Sequence, residues 1–264
     1  NGRPMLLKGS CMHHDNGPLG AAAYDDAEYR RVRLTKAASF NAIRCAHNPP
    51  SAAFLNACDE LGVLVINEAF DCWKGGKNGH DYSRYFDEWW RRDLDSMLLR
   101  DRNHPSIIMW SIGNEIPGND SAPVAATARM LVERVRQLDP TRPVTAGVQG
   151  VNPKKDEFFA ALDVGGYNYA LKWNEGHDYK PHAYVEDHQR QPARVIVGSE
   201  SFASQSFDYW MPAVDYPWVI GDFVWTGWDY LGESSIGWIG FGFPVYWPVA
   251  YCGDIGVTGL RRPQ

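Results

Sequence analysis

The sequence predicts an α/β protein, a (β/α)8 TIM barrel. Three observations carry that expectation. Short apolar runs alternate with helix-patterned segments along the chain. The apolar runs number eight. Polar residues with distinctive chemistry gather immediately after those runs. Fully apolar strands imply parallel pairing with both faces covered, and eight β/α units in about 250 residues match a closed barrel. A doubly wound open sheet is the alternative. It calls for a glycine-rich turn after the first strand, and Gly9-Ser10-Cys11-Met12-His13-His14 is not one.

The elements follow in order. Residues 5–9 read as a short buried strand. Residues 25–38 have helical periodicity, with Asp25 and Asp26 at the end where the helix dipole favours acids. A strand at 40–45 precedes a helix at 51–61, which Ser51 is placed to cap and Gly62 to stop. A third strand covers 63–66, and a long amphipathic helix 85–102. The fourth strand covers 107–112, before a helix at 124–138 that Asp139-Pro140 ends. Weaker strands at 143–146 and 164–167 flank a short helix at 156–162. A helix at 183–190 and strands at 194–197 and 220–225 complete the pattern.

With 264 residues, 44% hydrophobic and 22% charged, the chain can bury one large core. A single domain over 1–264 is expected, with two small ones still open. A net charge of −6 without a Lys/Arg block argues against nucleic acid or an anionic membrane as partner. The uncharged stretch 234–253 carries Pro244 and Pro248, so it is a poor membrane helix and reads as an aromatic loop. Five cysteines without metal-type spacing read as buried thiols, a usage that leaves cytoplasmic and periplasmic or secreted locations open. No signal peptide opens the chain. The abrupt Asn1-Gly2-Arg3-Pro4 start suggests a domain cut from a longer protein. Eleven Trp and 13 Tyr suit sugar faces, or simply an aromatic core.

The residues after the strands are the informative ones. They are His13, His14 and Asp15; Arg44 and His47; Glu68; Asn114 and Glu115; Asn168 and Tyr169; Glu200; then Trp225, Trp228 and Asp229. In a barrel all of them land on the C-terminal rim, where barrel enzymes keep their active sites. Glu115 and Glu200 stand apart, each directly after an apolar strand, the fourth and the seventh, which are expected to face each other across the mouth. Two such carboxyls can cleave a glycosidic bond, one as nucleophile and one as proton donor, and the donor needs a raised pKa. The alternative is a pair of capping or salt-bridged glutamates. Asn114 is placed to contact a sugar 2-hydroxyl, or to cap a helix. Arg44 is placed to hold a carboxylate ionised, or to form an ordinary ion pair. His13 and His47 suit metal binding, base chemistry, sugar hydrogen bonds or plain structure. Tyr169 suits a bond to the nucleophile, and Trp225 a platform under the ring or barrel-top packing.

These residues lie in motifs that resemble the catalytic barrel of glycoside hydrolase family 2, the group of β-galactosidases, β-glucuronidases and β-mannosidases. The motifs are 40–47 (Phe-Asn-Ala-Ile-Arg-Cys-Ala-His), 58–68 (Cys-Asp-Glu-Leu-Gly-Val-Leu-Val-Ile-Asn-Glu), 104–115 (His-Pro-Ser-Ile-Ile-Met-Trp-Ser-Ile-Gly-Asn-Glu), Asp139-Pro140-Thr141-Arg142-Pro143 and Phe223-Val224-Trp225. The resemblance implies a retaining mechanism, with Glu115 as acid/base and Glu200 as nucleophile. It implies that Arg44 and Tyr169 orient the nucleophile and that Asn114 meets the 2-hydroxyl. His13, Asp15, His47 and Glu68 then surround the non-reducing sugar, with Trp225 as an aromatic wall. Retention also follows if the carboxyls stand about 5–5.5 Å apart.

Three departures qualify the resemblance. Some family galactosidases bind magnesium with a Glu and a His after the third strand. Cys72 and Lys74 stand there, and neither suits a hard cation, so no metal and no cofactor is expected. The Asn-x-Lys with which glucuronidase-like members grip a carboxylate is missing near the C-terminal end, where Arg261 or Arg262 is the only substitute, while the Cys11-to-Gly20 text looks galactosidase-like. The β-sandwich domains that normally precede the barrel are not in this sequence, so flanking domains or a homo-oligomer are expected partners. The expected function is an exo-acting β-galactosidase on an oligosaccharide or β-galactoside. A β-glucuronidase or other β-glycosidase of the family is the alternative, and a carbohydrate-binding barrel without turnover the alternative of another class. Trp238 and Trp247 are candidates for a leaving-sugar subsite.

Overall fold

The computed structural model describes residues 2–14, 16, 19–173, 179–180, 182–228 and 255. Its strands are β1 (Leu7–Met12), β2 (Ala42–Cys45), β3 (Leu64–Glu68), β4 (Ile107–Asn114), β5 (Val144–Gln149), β6 (Val164–Asn168), β7 (Lys172–Trp173), β8 (Tyr179–Lys180), β9 (Val195–Phe202) and β10 (Val219–Trp225). Eight of them close a barrel in the order β1-β10-β9-β6-β5-β4-β3-β2, while β7 and β8 form a separate two-stranded antiparallel pair. Every barrel pairing is parallel. The fold class is the expected one.

Helices α1 (Asp25–Ala37), α2 (Ala52–Leu61), α3 (Phe86–Asp101), α4 (Ala122–Leu138), α5 (Asp156–Phe159), α6 (His182–Arg190) and α7 (Ser206–Asp215) connect the strands. Their ends obey local chemistry. The Ser51 side chain accepts the Phe54 N–H at 3.1 Å, and Gly62 takes the left-handed φ of 67° that a β-carbon resists. Asp139 leaves the helical region just before Pro140 and becomes a hub. It accepts from Thr141, from the Trp110 indole at 2.9 Å and from Arg142 at 2.6 Å, and these bonds overcome burial to hold its carboxyl at about 2. No described helix is long and apolar enough to cross a membrane.

Two apolar layers result. Outward strand residues and the helices enclose one that includes Ile43, Val65, Trp110 and Ile112. The other fills the lumen with Leu7, Cys11, Ala42, Ile66, Met109, Val164, Val197 and Phe223. Because strand side chains alternate, the inward row can be followed toward the C-terminal rim. There the lumen turns polar, through Arg44, Glu68, Ser111, Asn168 and Ser199.

The structure differs from the sequence reading in several places. The first strand is Leu7–Met12, displaced toward the rim, and Met5 is exposed. Strands β4 and β9 continue through the polar residues that had looked like loop starts. Helix α7 has no counterpart in the sequence reading. Strands β4 and β9 do not face each other: β5 and β6 separate them, and β10 lies opposite β4. The two strands therefore bring their carboxyls together across a chord of the mouth.

Candidate active site

Local irregularities aim the two carboxyls. The β4–β5 pairing shifts register between Ser111 and Asn114, and the β6–β9 pairing shifts between Tyr167 and Asn168, opposite Gly198 and Glu200. Such bulges re-aim side chains at barrel rims. Glu115 then follows β4 at φ 45° and Tyr169 follows β6 at φ 51°, both in the left-handed region that non-glycine residues seldom enter. Tyr169 is fixed there by its N–H bond to the Glu200 carbonyl at 2.8 Å.

The centre is Arg44, 1% exposed on the inner face of β2. One terminal nitrogen donates to Glu200 Oε1 at 2.8 Å and to the Ser199 carbonyl at 3.0 Å. The other donates to Glu68 Oε2 at 2.7 Å and to Asn114 Oδ1 at 2.9 Å, and Nε adds a bond to Glu68 at 3.1 Å. Burial by itself lowers the pKa of this guanidinium. Glu68 and Glu200 reverse that and raise its pKa well above the ordinary value.

The two carboxylates it holds differ. Burial pushes Glu68 up, but Arg44 and the bonds from His47 and Ser111 outweigh it and hold the carboxyl at about 2. Those bonds are short, 2.6 Å from His47 Nδ1 and 2.6 Å from Ser111 Oγ. Glu200 is 3% exposed, and burial raises its carboxyl above the ordinary range. Arg44 opposes the rise and the charge of Glu115 adds to it, so the two candidate carboxyls lie within electrostatic reach of each other. The Tyr169 hydroxyl also bonds Glu200. Burial and that carboxylate push the phenol far up, so it remains a donor.

Asn114 presents its amide in one sense. Its oxygen accepts from Arg44 and, at 3.0 Å, from Asn168, so its NH2 faces outward, 3.3 Å from His47 Nε2. That arrangement gives His47 a donating Nδ1 toward Glu68 and an accepting Nε2 toward Asn114. The His47 ring stacks on Trp225 with centroids 5.0 Å apart, and His13 meets both rings edge-on. Burial and the nearby His47 push His13 down to about 3, so it is a neutral wall residue.

The structure thus brings together His13, Arg44, His47, Glu68, Asn114, Glu115, Tyr169, Glu200 and Trp225. Asp15, Asp229, Trp238 and Trp247 lie outside the described residues. His14 is turned to the Pro49 carbonyl, and Trp228 is buried beneath Arg30. Cys72 is buried, and Lys74 pairs with Asp87 at the surface, so neither supplies an oxygen ligand and the pair does not fit magnesium. Three partners escaped the sequence reading of site roles: Ser111, Asn168 and Ser199. The signal that finds them is the inward alternation followed along each strand: Met109 to Ser111, Gly166 to Asn168, Val197 to Ser199.

Gly147 has a steric reason. A β-carbon there would stand 2.6 Å from Asn114 Oδ1 and 3.0 Å from both Arg44 and Asn168.

A family model described as glycosyl hydrolases family 2, TIM barrel domain, matches residues 1–208. The chain is 35% identical to the Beta-galactosidase BoGH2A of Bacteroides ovatus, over 99% of the chain and 38% of that protein. It is 30% identical to a putative beta-glucuronidase of Formosa agariphila, over 99% of the chain and 28% of that protein. Among solved structures, a family 2 member from Bacteroides cellulosilyticus superposes with TM-score 0.91 at 53% identity, over all of this chain and 33% of that one. A beta-glycosidase from Bacteroides vulgatus gives 0.78 at 31% identity, over 99% of this chain and 38% of that one. The chain therefore spans well under half the length of these relatives.

Proposed function

Because this chain belongs to glycoside hydrolase family 2, we propose that it is the catalytic barrel of a retaining, exo-acting β-glycosidase whose substrate is a β-galactoside. The observation that carries the reading is the buried Glu200 carboxyl on Arg44, with Glu115 within electrostatic reach at the end of a nearby strand.

In the proposed reaction a Glu200 oxygen attacks the anomeric carbon as the bond to the leaving oxygen breaks. Glu115 gives its proton to that oxygen, releasing an alcohol and leaving a glycosyl ester on Glu200. Glu115, now a carboxylate, takes a proton from water. The hydroxide attacks the same carbon and frees Glu200. Arg44 and Tyr169 favour the ionised form of Glu200 against the cost of burial. Asn114 offers its NH2 to the sugar 2-hydroxyl, a contact that strengthens in the transition state. His13, His47 and Trp225 wall the ring. We assign Asp15 to the same sugar on the resemblance alone. No step needs a metal or cofactor.

The galactoside assignment is supported by the relative from Bacteroides ovatus. A second reading, β-glucuronidase, is favoured by the Formosa agariphila relative. Flanking β-sandwich domains, to which the chain's share of its relatives points, complete the proposal.

The test is hydrolysis of aryl β-galactoside, glucoside, glucuronide and mannoside, with Glu200→Gln alongside. The expected result is fastest release from the galactoside, abolished by the substitution. Preference for the glucuronide overturns the sugar and keeps the mechanism. A natural full-length protein that turns over none of them overturns both.

A further inference from the structure

We infer that Asn168, held by Asn114 and Ser199, is a positioning residue that decides which oxygen of Glu115 carries the transferable proton. The inference rests on the proposed function and assigns a role to two residues that the reaction scheme does not use. Asn168 ends β6 and is fully buried. Its NH2 has two hydrogens and two acceptors, Asn114 Oδ1 at 3.0 Å and Glu115 Oε1 at 3.1 Å. Its own oxygen accepts the Ser199 hydroxyl at 2.6 Å.

The amide can face only one way. Turned over, its oxygen would face the Asn114 oxygen, which Arg44 holds in place as an acceptor, and the Ser199 hydroxyl would lose the oxygen it donates to. The Asn114 oxygen thus sets the sense of the amide, Ser199 holds its far end, and Asn168 is the pointer. With an N–H aimed at Oε1, a proton on that oxygen would meet another hydrogen. The acid proton of Glu115 is therefore carried on Oε2, the oxygen left for the leaving group.

When that proton moves to the leaving oxygen, Glu115 becomes a carboxylate and its bond from Asn168 becomes charge-assisted. The pointer then favours the transferred state as well as the starting geometry. Glu115 needs such a hold because its backbone stands in the left-handed region and its side chain is only half buried, unlike Glu200.

The test separates proton donation from everything else in the site. Asn168→Ala, the near-isosteric Asn168→Asp and Ser199→Ala are compared with the parent, in the natural full chain, on two aryl β-galactosides. One releases dinitrophenol, which departs without a proton. The other releases phenol, which needs one. The expected result is a fall in kcat/KM of ~10–100-fold on the phenyl substrate, part of the ~100–10,000-fold that general acid catalysis supplies, and less than about 3-fold on the dinitrophenyl substrate, with KM little changed. Retained dinitrophenyl turnover also shows that the variants fold.

Equal losses on both substrates in Asn168→Asp and Ser199→Ala, from an active parent, overturn this inference and leave the proposed function standing. A parent inactive on every glycoside overturns the proposed function, and this inference with it.

Discussion

Arg44 meets Glu200 at 2.8 Å with both side chains almost wholly out of water. A buried pair of this kind is expensive to break, because the partner left behind keeps its charge without compensation. Here the same guanidinium also holds Glu68 and Asn114, so its planar fork does what a point charge cannot.

Arg44→Lys keeps the charge and loses the fork. It is expected to lower kcat on the order of 100-fold, the loss that follows a misplacement of about 1 Å. Thermal unfolding should show a folded but less stable protein. Activity within 3-fold of the parent would mean that the fork is not what holds the nucleophile.

Tyr169→Phe removes a donor from Glu200. The donor favours the carboxylate, so its loss moves the Glu200 pKa further up. In its proposed role as nucleophile Glu200 is active when ionised, and the acid limb of the kcat/KM profile should therefore shift to higher pH. The measurement is a pH–rate profile on an activated aryl glycoside; a shift to lower pH contradicts the assignment.

Gly147→Ala sets a methyl group against Asn114, Arg44 and Asn168 together. Overpacking of this kind costs ~1–3 kcal/mol. The expected outcome is a lowered unfolding midpoint with a fall in kcat, since all three contacts belong to the site. Loss of stability with full kcat would show that the network tolerates displacement.

Asp222 sits on β10, 4% exposed, with Ser201 Oγ donating to one oxygen at 2.6 Å and the other oxygen without a hydrogen-bond partner. Burial pushes its carboxyl up to about 8. The unfolded chain releases this proton near pH 4 while the folded chain keeps it, so the unfolded state binds fewer protons between those values. Stability from this group is present in full below about pH 4 and is lost as pH rises toward 8, by at most ~1.4 kcal/mol per pH unit. Asp222→Asn should flatten that decline and raise the unfolding midpoint at pH 8 more than at pH 5. Equal shifts at both would place the carboxyl's titration elsewhere.

Glu115, Glu200 and Arg44 were legible in the sequence because each follows or ends an apolar run, and a barrel gives that position a meaning. The ends of β4 and β9 were not legible for a related reason. Apolar patterning stops after Ile112 and after Val197, yet the backbone stays extended through Asn114 and Glu200 because its ladder bonds do not depend on side-chain polarity. Helix α7 hides behind Pro212 and a dense mix of aromatic and small residues without a clean polar stripe. Asn168 and Ser199 are short polar residues of a kind found everywhere. The sequence places Asn168 on the rim without a role, and only closure of the barrel joins it to Glu115 on one side and Ser199 on the other.

One guanidinium between two carboxylates leaves the mouth of the barrel one negative charge in excess. In the proposed reaction that excess moves but does not vanish. When Glu200 forms its ester, Glu115 has given up its proton and carries the charge, and hydrolysis returns it to Glu200. The mouth therefore keeps one sign through the whole turnover while the charge changes place, from the face where the sugar is attacked to the side where the leaving group departs and water enters. A sugar mimic with a protonated ring nitrogen would meet a net negative pocket at every stage that leaves room for it.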